Sequence, residues 1–534
     1  MKNKTNLNRS VATYMKLRLY YFCLVVMMLS CMNGFSQFTA IPDSQFETAL
    51  IQLGYDSYPL DGQVLSQNIT SVNYLNISGR GINDLTGIAD FSSLIYLNCS
   101  SNNLTELDLT SNNNLIQVKC YSNQLETIDF PVNSNLTSLI CHSNNIAELD
   151  LSNLGLLDEL DCYNNALQQI DLSNNILLTK FNCSANEIYQ IDVSNNPFLE
   201  EVICKNNLIS EINVGSNGSL EILDLSYNLL QSIDLSQNTS LKEFSCNNNQ
   251  LSSLDLQSNT ALEILNCNMN RLTTLIVEEN RELLSLSCGQ NQLTELNVTG
   301  NTNLNNLSFY DNQISDIDLS ENIYLRQLYG YNNLLQELDI TNNVSITHLS
   351  VGNNFLTTLD VTQNSILNYF NCINNQITSL DLSNNSQLRR LLCENNDLEF
   401  LDVANGNNTA IRDFSAYNNA VLTCVKVDDP EYSTQRWTLI DEQTEYSIDC
   451  ASLSVENVDF SDISLFPNPV TDIVTILTDQ DLKFNLVSVN GQIILNGELI
   501  QSNKSIDLSQ LSDGVYFLKL ISESGSTIKK IIKE

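Results

Sequence analysis

Residues 94–114, LIYLNCSSNNLTELDLTSNNN, decide the fold because the chain repeats their pattern every 21 residues. Asn102 returns as asparagine in all fifteen copies, the last being Asn396, and no insertion or deletion interrupts the series. A fixed period of this length is typical of a solenoid, in which each coil buries its apolar face against the next coil. The repeat therefore predicts an extended surface rather than a pocket, which favours binding over catalysis.

Each copy contains two short segments in which apolar and polar positions alternate. Leu97-x-Cys99 and Leu107-x-Leu109 both have the period of two that is expected of a strand with one buried face. An asparagine column follows three residues after each segment. The sequence therefore predicts that every coil consists of two strand-and-turn halves, of ten and eleven residues.

The asparagine columns are expected to satisfy backbone groups at the tight corners of the coil. An Asn amide carries both a donor and an acceptor, tolerates left-handed dihedrals, and can bridge its own turn to the next coil. Each such hydrogen bond contributes on the order of 1 kcal/mol. We therefore assign a structural role to this asparagine ladder, whose first column begins with Asn102, Asn123, Asn144, Asn165, Asn186 and Asn207.

Eleven of the fifteen cysteines share one column, whose other positions hold Leu, Phe, Gly and Val. Such a column is a core position, where free cysteine acts as a small hydrophobe. Stacked strands lie about 4.8 Å apart, whereas bridged Cβ atoms lie about 3.8 Å apart, so neighbouring coils are poorly placed to form disulfides. Cys424 and Cys450 fall outside the repeat, and we predict that they form a disulfide.

The composition excludes several functions. The chain has 24 Lys and Arg against 62 Asp and Glu, a formal net charge of −38 at pH 7, so it repels nucleic acid. His142 and His348 are the two histidines, and His142 cannot form a dyad with Cys141 because adjacent strand residues point to opposite faces. No HExxH, GxSxG or P-loop pattern occurs. We therefore predict no enzymatic activity and no cofactor.

The N-terminus has the features of an export signal. Basic residues end at Arg18, an apolar run follows over residues 19–29, and small residues lead to a predicted cleavage after Ser36. An alternative is a lipoprotein signal with Cys31 lipidated. The apolar run is shorter than a transmembrane helix, and no transmembrane segment is expected in the mature chain.

The repeat resembles a known family. The pattern LxxLxCxxNxL of residues 94–104 resembles the leucine-rich repeat, and the following LxxLDLxxN is similar to the nested 21-residue bacterial subclass called IRREKO. This resemblance implies a mainly β solenoid, with parallel strands at Tyr96–Ser100 and its successors on the concave face. It also implies a second ladder of short strands opposite. Residues 43–53 have the spacing of a helix and are expected to cap the N-terminal end.

The C-terminal tail has a different pattern. Alternating apolar runs separated by turn residues predict a small antiparallel β-sandwich. Pro467-Asn468-Pro469, Asn490-Gly491, residues 511–516 (LSDGVY) and Lys529-Lys530 resemble the C-terminal sorting domain of the type IX secretion system. This resemblance implies secretion or attachment to the outer cell surface, with the secretion machinery as a partner. The predicted domains are a signal peptide (1–36), an N-terminal cap (37–78), the solenoid (79–420), a C-terminal cap (421–455) and the sorting domain (456–534).

Aromatic side chains supply the candidate binding residues on the concave face. One group comes from four consecutive coils, and we expect it to be exposed; a weaker group is formed by Tyr96, Tyr121, His142 and Tyr163. Tyrosine is common in protein interfaces and could also stack on a sugar ring, but it also suits any exposed strand. The principal candidates, called the aromatic cluster below, are Tyr310, Tyr329, Tyr331, His348 and Tyr369.

An aspartate column lies within the second strand, between two buried positions, and twelve of its fifteen positions are Asp. Stacked carboxylates repel one another, and one way to relieve this repulsion is to bind divalent cations such as Ca²⁺. The alternative is that each Asp caps its own turn in water. The candidate ligands of the cation hypothesis are Asp129, Asp150, Asp171 and Asp192.

The sequence as a whole predicts an exported binding protein that recognises a protein partner at or outside the cell surface, as an adhesin, scaffold or adaptor. Carbohydrate binding through the aromatic cluster is the first alternative. A structural surface-layer protein stiffened by cations is the second.

Overall fold

The computed structural model describes residues 37–132, 134–450, 463–477, 481–488, 492–500, 504–522 and 525–534. The predicted signal peptide, the alternative lipidation site Cys31 and the Asn490-Gly491 turn lie outside the described residues. The chain divides into two compact units. The first unit comprises residues 1–399, 405–421 and 437–441, and the second comprises 400–404, 422–436 and 442–534.

A long parallel sheet runs through the first unit. Among the described residues it contains seventeen short strands, and consecutive strands pair in register, most of them one repeat apart, as Leu97 pairs with Val118. The columns of the sequence therefore become columns of side chains on the sheet. The strands are Tyr74–Asn76, Tyr96–Asn98, Gln117–Lys119, Ser138–Ile140, Glu159–Asp161, Lys180–Asn182, Glu201–Ile203, Ile222–Asp224, Glu243–Ser245, Ile264–Asn266, Ser285–Ser287, Asn306–Ser308, Gln327–Tyr329, His348–Ser350, Tyr369–Asn371, Arg390–Leu392 and Asp413–Ser415.

The opposite side of the coils carries shorter and more scattered strands. These strands are Glu106–Asp108, Thr127–Asp129, Ile191–Asp192, Ile212–Asn213 and Ser379–Asp381. The first two pair with each other, and so do the next two. Leu275 lies in no strand, yet it belongs to the same apolar column and is 6 % exposed. Side-chain packing therefore stabilises this side where the strand ladder is interrupted.

The core of the first unit lies between the two sides of the coils. In one coil, Leu94, Leu97, Cys99, Leu104 and Leu107 are each at most 2 % exposed. Full burial of a leucine side chain contributes roughly 1.5–3 kcal/mol relative to exposure. Because the same columns are buried in the following coils, the core is continuous along the stack.

One core column changes composition beneath the aromatic cluster. Phe309 is fully buried there, and the next coil has Gly330 at the same position. A Cβ atom on Gly330 would lie 2.4 Å from Cζ of Phe309, so the phenyl ring occupies the space that a side chain at Gly330 would need. The large side chain of Phe309 therefore fills the space that the missing side chain at Gly330 leaves, and the strand spacing is kept.

Distinct elements cover the two ends of the stack. The helix Ser44–Gln52 begins after Asp43, whose carboxylate accepts hydrogen bonds from the N–H groups of Gln45 and Phe46. Phe46 packs on Phe91 of the first coils, with ring centroids 6.3 Å apart. The remaining elements of the N-terminal end are the strands Phe38–Ala40 and Gln63–Leu65, the helix Ser66–Ile69 and the 3₁₀-helix Ile88–Asp90.

Trp437 covers the other end of the first unit, where the 3₁₀-helix Asn408–Ala410 precedes the last strand. Its indole ring lies 4.4 Å from the ring of Phe414, and its N–H donates a hydrogen bond to the carbonyl of Ile411 at 3.3 Å. Trp437 is 2 % exposed. The large ring therefore shields the last core layer from water.

The second unit contains a short parallel sheet and two antiparallel sheets. Cys424 and Cys450 are joined by a disulfide next to the parallel sheet. Leu486, Leu518 and Ile531 are fully buried in the core of the antiparallel part, which matches the expected β-sandwich pattern. The elements are Phe400–Asp402, Cys424–Lys426, Pro430–Arg436 (helix), Glu445–Ser447, Ser464–Phe466, Ile473–Leu477, Leu482–Ser488, Ile493–Leu499, Ser505–Asp507, Gly514–Ser522 and Gly525–Lys533.

Candidate functional site

Along each strand of the long sheet, side chains point alternately into the core and out to the exposed face. In Gln327–Tyr329 the central Leu328 is buried and its two neighbours are half-buried, and most strands of the sheet share this pattern. The column three residues after the strand centre is less exposed than its polarity suggests, since Ser184 is 5 % exposed. Large side chains in that column therefore stand out from the surface, whereas serines do not.

The first asparagine column, which begins with Asn102 and is called the outer column below, fixes the turn after each strand of the long sheet. The side-chain amide of Asn102 donates to the carbonyls of Ile77 and Cys99, both at 2.9 Å. Its carbonyl oxygen accepts from the N–H groups of Arg80 and Ile82, at 2.9 and 3.1 Å. Amide contacts to the carbonyls of the same coil and the preceding coil recur at Asn123, Asn144, Asn165, Asn186 and Asn207. The side chains are occupied in these bonds, and the geometry supports a structural role.

The second asparagine column, called the inner column, follows the second segment of each coil and has a similar role at the turn there. The amide of Asn238 donates to the carbonyls of Val214 and Asn217, both at 2.9 Å, and the side chain is fully buried. Leu154 replaces asparagine in one coil, and Asn133, another member of this column, lies outside the described residues. These amides therefore link each coil to the preceding ones.

The structure places the five residues of the aromatic cluster in three neighbouring columns. The rings of Tyr310 and Tyr331 stack at 4.8 Å, with 12° between their planes. His348 and Tyr369 stack at 6.0 Å and 17°. Tyr329 lies between them in a column where its register partners are serines. All five side chains are half-buried, and they make up an aromatic surface on four consecutive coils.

Two features explain the orientation of these rings. Tyr310 lies over Gly289 of the preceding coil, where a Cβ atom would be only 2.6 Å from the tyrosine ring. Arg390 lies over the ring of Tyr369, with its guanidinium carbon 5.4 Å from the ring centroid. Tyr369 is therefore covered by His348 and Arg390. The sequence-based prediction did not include Arg390, although its position one repeat after Tyr369 in the same column identifies it.

The phenol groups of Tyr310, Tyr329 and Tyr331 stay neutral at physiological pH. Partial burial raises the pKa of Tyr310, Tyr329 and Tyr331 above the ordinary value for tyrosine, and neighbouring phenols or carboxylates raise it further. A neutral phenol can both donate and accept a hydrogen bond. The surface therefore offers hydroxyl groups on an apolar base.

The second aromatic group is stacked more closely than the aromatic cluster. His142 lies between Tyr121 and Tyr163, at centroid distances of 4.6 and 4.2 Å. Burial lowers the pKa of His142, which keeps its imidazole neutral at physiological pH. In a separate column of the same face, Tyr96 stacks at 4.5 Å on Tyr74, a residue that the sequence-based prediction missed because it precedes the regular repeats.

The aspartates in the second strand-and-turn half of the coils cap their own turns. The carboxylates of Asp150, Asp171 and Asp192 each accept the N–H group two residues later at 2.9 Å, and these serine contacts lower their pKa. Asp129 ends the strand Thr127–Asp129. Within the described ranges, no group of three or more His, Cys, Asp or Glu residues is arranged to hold a metal ion. The carboxylates of Asp150, Asp171 and Asp192 therefore cap their own turns.

The cysteine column forms a ladder of buried free thiols. All eleven members are buried and unbridged, and Cys183 donates to the sulfur of Cys204 at 3.1 Å. Burial raises the pKa of Cys99 and Cys267 to about 12. A neutral buried thiol is a poor nucleophile and a poor metal ligand. The ladder therefore belongs to the core and not to a reactive site.

Comparisons with known proteins agree with this architecture. Residues 464–534 match the family model described as the secretion system C-terminal sorting domain. The functional domain of InlJ from Listeria monocytogenes, which is described as including a cysteine ladder, aligns with a TM-score of 0.61 and 25 % identity. This alignment covers 93 % of this chain and 99 % of that chain.

A second solved structure is also similar. The leucine-rich-repeat protein LIC12759 from Leptospira interrogans aligns with a TM-score of 0.54 and 25 % identity, over 62 % of this chain and 92 % of that one. A search of curated protein sequences finds no match to the chain. None of the helices in the described ranges has the length and apolarity of a membrane-spanning segment. The chain is thus a leucine-rich-repeat solenoid followed by a secretion sorting domain, which indicates export or attachment to the cell surface.

Proposed function

We propose that this exported protein recognises a protein partner at or outside the cell surface, through the aromatic cluster, and has no enzymatic activity of its own. The supporting observation is the way the rings stack. Tyr310 and Tyr331 each cover a face of the other, and Tyr369 is covered by His348 and Arg390. A sugar ring needs a free aromatic face, whereas a protein interface also uses ring edges and hydroxyl groups.

The leucine-rich-repeat architecture supports the same proposal. Short strands in register give a rigid surface on which the aromatic side chains are held by their neighbours and lose little rotamer freedom on binding. Interface hot spots are enriched in tyrosine and arginine, and both occur here. The protein would then act as an adhesin, scaffold or adaptor, and the secretion machinery would be a second partner through the sorting domain.

The experiment is a pull-down with the secreted protein against cell-surface extracts and a panel of polysaccharides, compared with the Tyr329→Ala/Tyr331→Ala variant. We expect a protein ligand that the variant loses, at about 2 kcal/mol or more for each hot-spot residue. Tyr121→Ala/Tyr163→Ala is the matched control, because it removes two stacked tyrosines from another part of the same sheet.

The other outcomes separate the alternatives. A polysaccharide retained by the native protein and lost by the Tyr329→Ala/Tyr331→Ala variant would assign the surface to carbohydrate binding. Equal capture by both proteins would place the binding site elsewhere. If no ligand were captured, the structural surface-layer function would be favoured.

A further inference from the structure

We propose that the last five strands of the long sheet bind a short acidic stretch of a polypeptide, whose carboxylates are held by arginines beside the aromatic cluster. This inference rests on the proposed function and adds the chemistry of the partner. The arginines concerned, called the basic end below, are Arg326, Arg389, Arg390 and Arg412.

The basic end borders the aromatic cluster along one edge. Arg326, Arg389 and Arg412 each directly precede a strand, and all three are exposed. Backbone hydrogen bonds of 2.8–2.9 Å link these positions from coil to coil through Thr347 and Asn368. Arg390 starts the strand Arg390–Leu392 and lies over Tyr369, so it joins the arginine row to the aromatic rings.

Most of these arginines lack an acidic partner although the protein is strongly acidic. In the described part of the chain, Arg326, Arg389 and Arg412 take part in no ion pair. Arg390 approaches Asp413 at 3.6 Å, and both side chains are exposed to water. A guanidinium group presents several N–H donors in a planar fork that matches a carboxylate. The basic end therefore offers unused donors of the geometry that carboxylates need.

Charge is distributed unevenly along the same face. We count each strand with the residue before it and the two residues after it. The six strands from Glu159–Asp161 to Ile264–Asn266 then carry nine acidic side chains and three lysines, a net charge of −6. The five strands from Gln327–Tyr329 to Asp413–Ser415 carry four arginines and two acidic side chains, a net charge of +2. An acidic ligand is thus attracted to one part of the sheet and repelled from the other.

This distribution limits the length of the ligand. Five strands spaced about 4.8 Å apart span about 19 Å, which equals about six residues of an extended peptide. A long polyanion that followed the sheet further would reach the acidic strands and be repelled there. The ligand is therefore a short acidic segment with uncharged flanks, and its apolar side chains would pack against the tyrosines.

The test is a selection of ligands for the full secreted protein from a displayed library of random peptides. A length of about twelve residues is twice the span of the basic end. We expect enrichment of peptides with clustered Asp and Glu beside apolar residues. The Arg389→Ala/Arg390→Ala variant should bind a selected peptide at least about tenfold more weakly, because each arginine forms charge-assisted hydrogen bonds. Replacing the glutamates of that peptide by glutamine should give a similar loss.

The matched control is Lys180→Ala/Lys242→Ala, which removes two cations from the acidic strands of the same sheet and should leave the peptide affinity unchanged. Unchanged melting temperatures would show that both variants are folded. Absence of acidic enrichment, or equal peptide binding by the arginine variant, would overturn the inference. Polygalacturonate bound as tightly as the peptides, with the same dependence on arginine, would overturn the choice of a polypeptide.

The two proposals can fail separately. If the Tyr329→Ala/Tyr331→Ala variant loses a protein partner that Arg389→Ala/Arg390→Ala retains, protein recognition stands and the acidic ligand is wrong. If neither variant affects a captured protein, both proposals are wrong.

Discussion

The corner residue before each outer asparagine has the least favourable backbone conformation in the repeat. Sixteen such residues have positive φ angles of 51–58°, and only some of them are asparagine. Asparagine tolerates left-handed dihedrals, whereas most other L-residues lose roughly 1–2 kcal/mol in them. Met269, with φ of 55°, and Tyr227, with φ of 56°, are therefore strained positions on a face that is otherwise regular.

Replacing one strained residue should stabilise the protein. We expect Met269→Asn to raise the free energy of unfolding by about 1 kcal/mol, because the left-handed conformation is kept and its cost falls. The reverse change in the preceding coil, Asn248→Met, should lower it by a similar amount, since Asn248 has a φ of 57°. Urea unfolding of the two variants measures both effects. If both substitutions changed stability in the same direction, the argument from backbone strain would be wrong.

At the scale of the strand ladder, the cysteine column shows how a repeat can use a small apolar side chain. The thiols lie directly behind the exposed face, and Val351 and Leu225 replace cysteine in individual coils without interrupting the sheet. Burial disfavours the thiolate and raises the pKa of these thiols. The ladder therefore couples the stability of the solenoid to pH in the alkaline range.

The solenoid should lose stability above about pH 9. In the unfolded chain the thiols release their protons near the ordinary pKa of 9.0, whereas the pKa of Cys99 in the fold is about 12. Between these values the unfolded state binds fewer protons than the folded state, so the free energy of unfolding falls by up to about 1.4 kcal/mol per pH unit for each thiol. Below pH 9 the thiols contribute no pH dependence.

The measurement is the melting temperature from about pH 8, below the pKa of the unfolded thiol, to about pH 11, which is still below the pKa of the buried thiol. A variant with Cys246→Val, Cys267→Val and Cys288→Val is the control, because valine already occurs in this column. Its melting temperature should fall less steeply with pH. Identical slopes for the two proteins would contradict a role of the buried thiols.

At the scale of the whole molecule, the repeats and the C-terminal tail have different roles. The repeats build an extended acidic solenoid, and residues 464–534 match a secretion sorting domain. The net charge of −38 favours solubility outside the cell, while the small positive region of the sheet face remains available for a ligand.

Deletion of residues 464–534 should stop export, because this segment is the match to the sorting domain. We expect the shortened protein to accumulate inside the cell envelope, whereas the full chain reaches the surface or the medium. Immunoblots of fractionated cells and medium measure the difference. A reporter protein with residues 1–36 at its N-terminus and residues 456–534 at its C-terminus is the control and should be exported. Surface localisation of the shortened protein would show that the tail is dispensable.

The coil architecture was predictable because it follows from periodicity. The spacing of Leu97 and Cys99 indicated the strand, and the invariant Asn102 indicated the corner, since every copy repeats the same local physics. The arrangement within the aromatic cluster was only partly predictable. The sequence placed Tyr310 and Tyr331 one repeat apart, but their stacking also depends on the space above Gly289.

The sequence by itself determined the solenoid, its two-sided coils and the asparagine columns, because these depend on contacts between residues at fixed separations of one repeat. It also identified the sorting tail, through the order of that segment's own motifs. Only the tertiary structure decided which ring faces are covered, where Arg390 lies, and which arginines have no acidic partner among the residues that the structure describes. The physical reason is that side chains from different columns meet across the sheet. Their orientation depends on the size and charge of several neighbours at once, and no single period in the sequence records it.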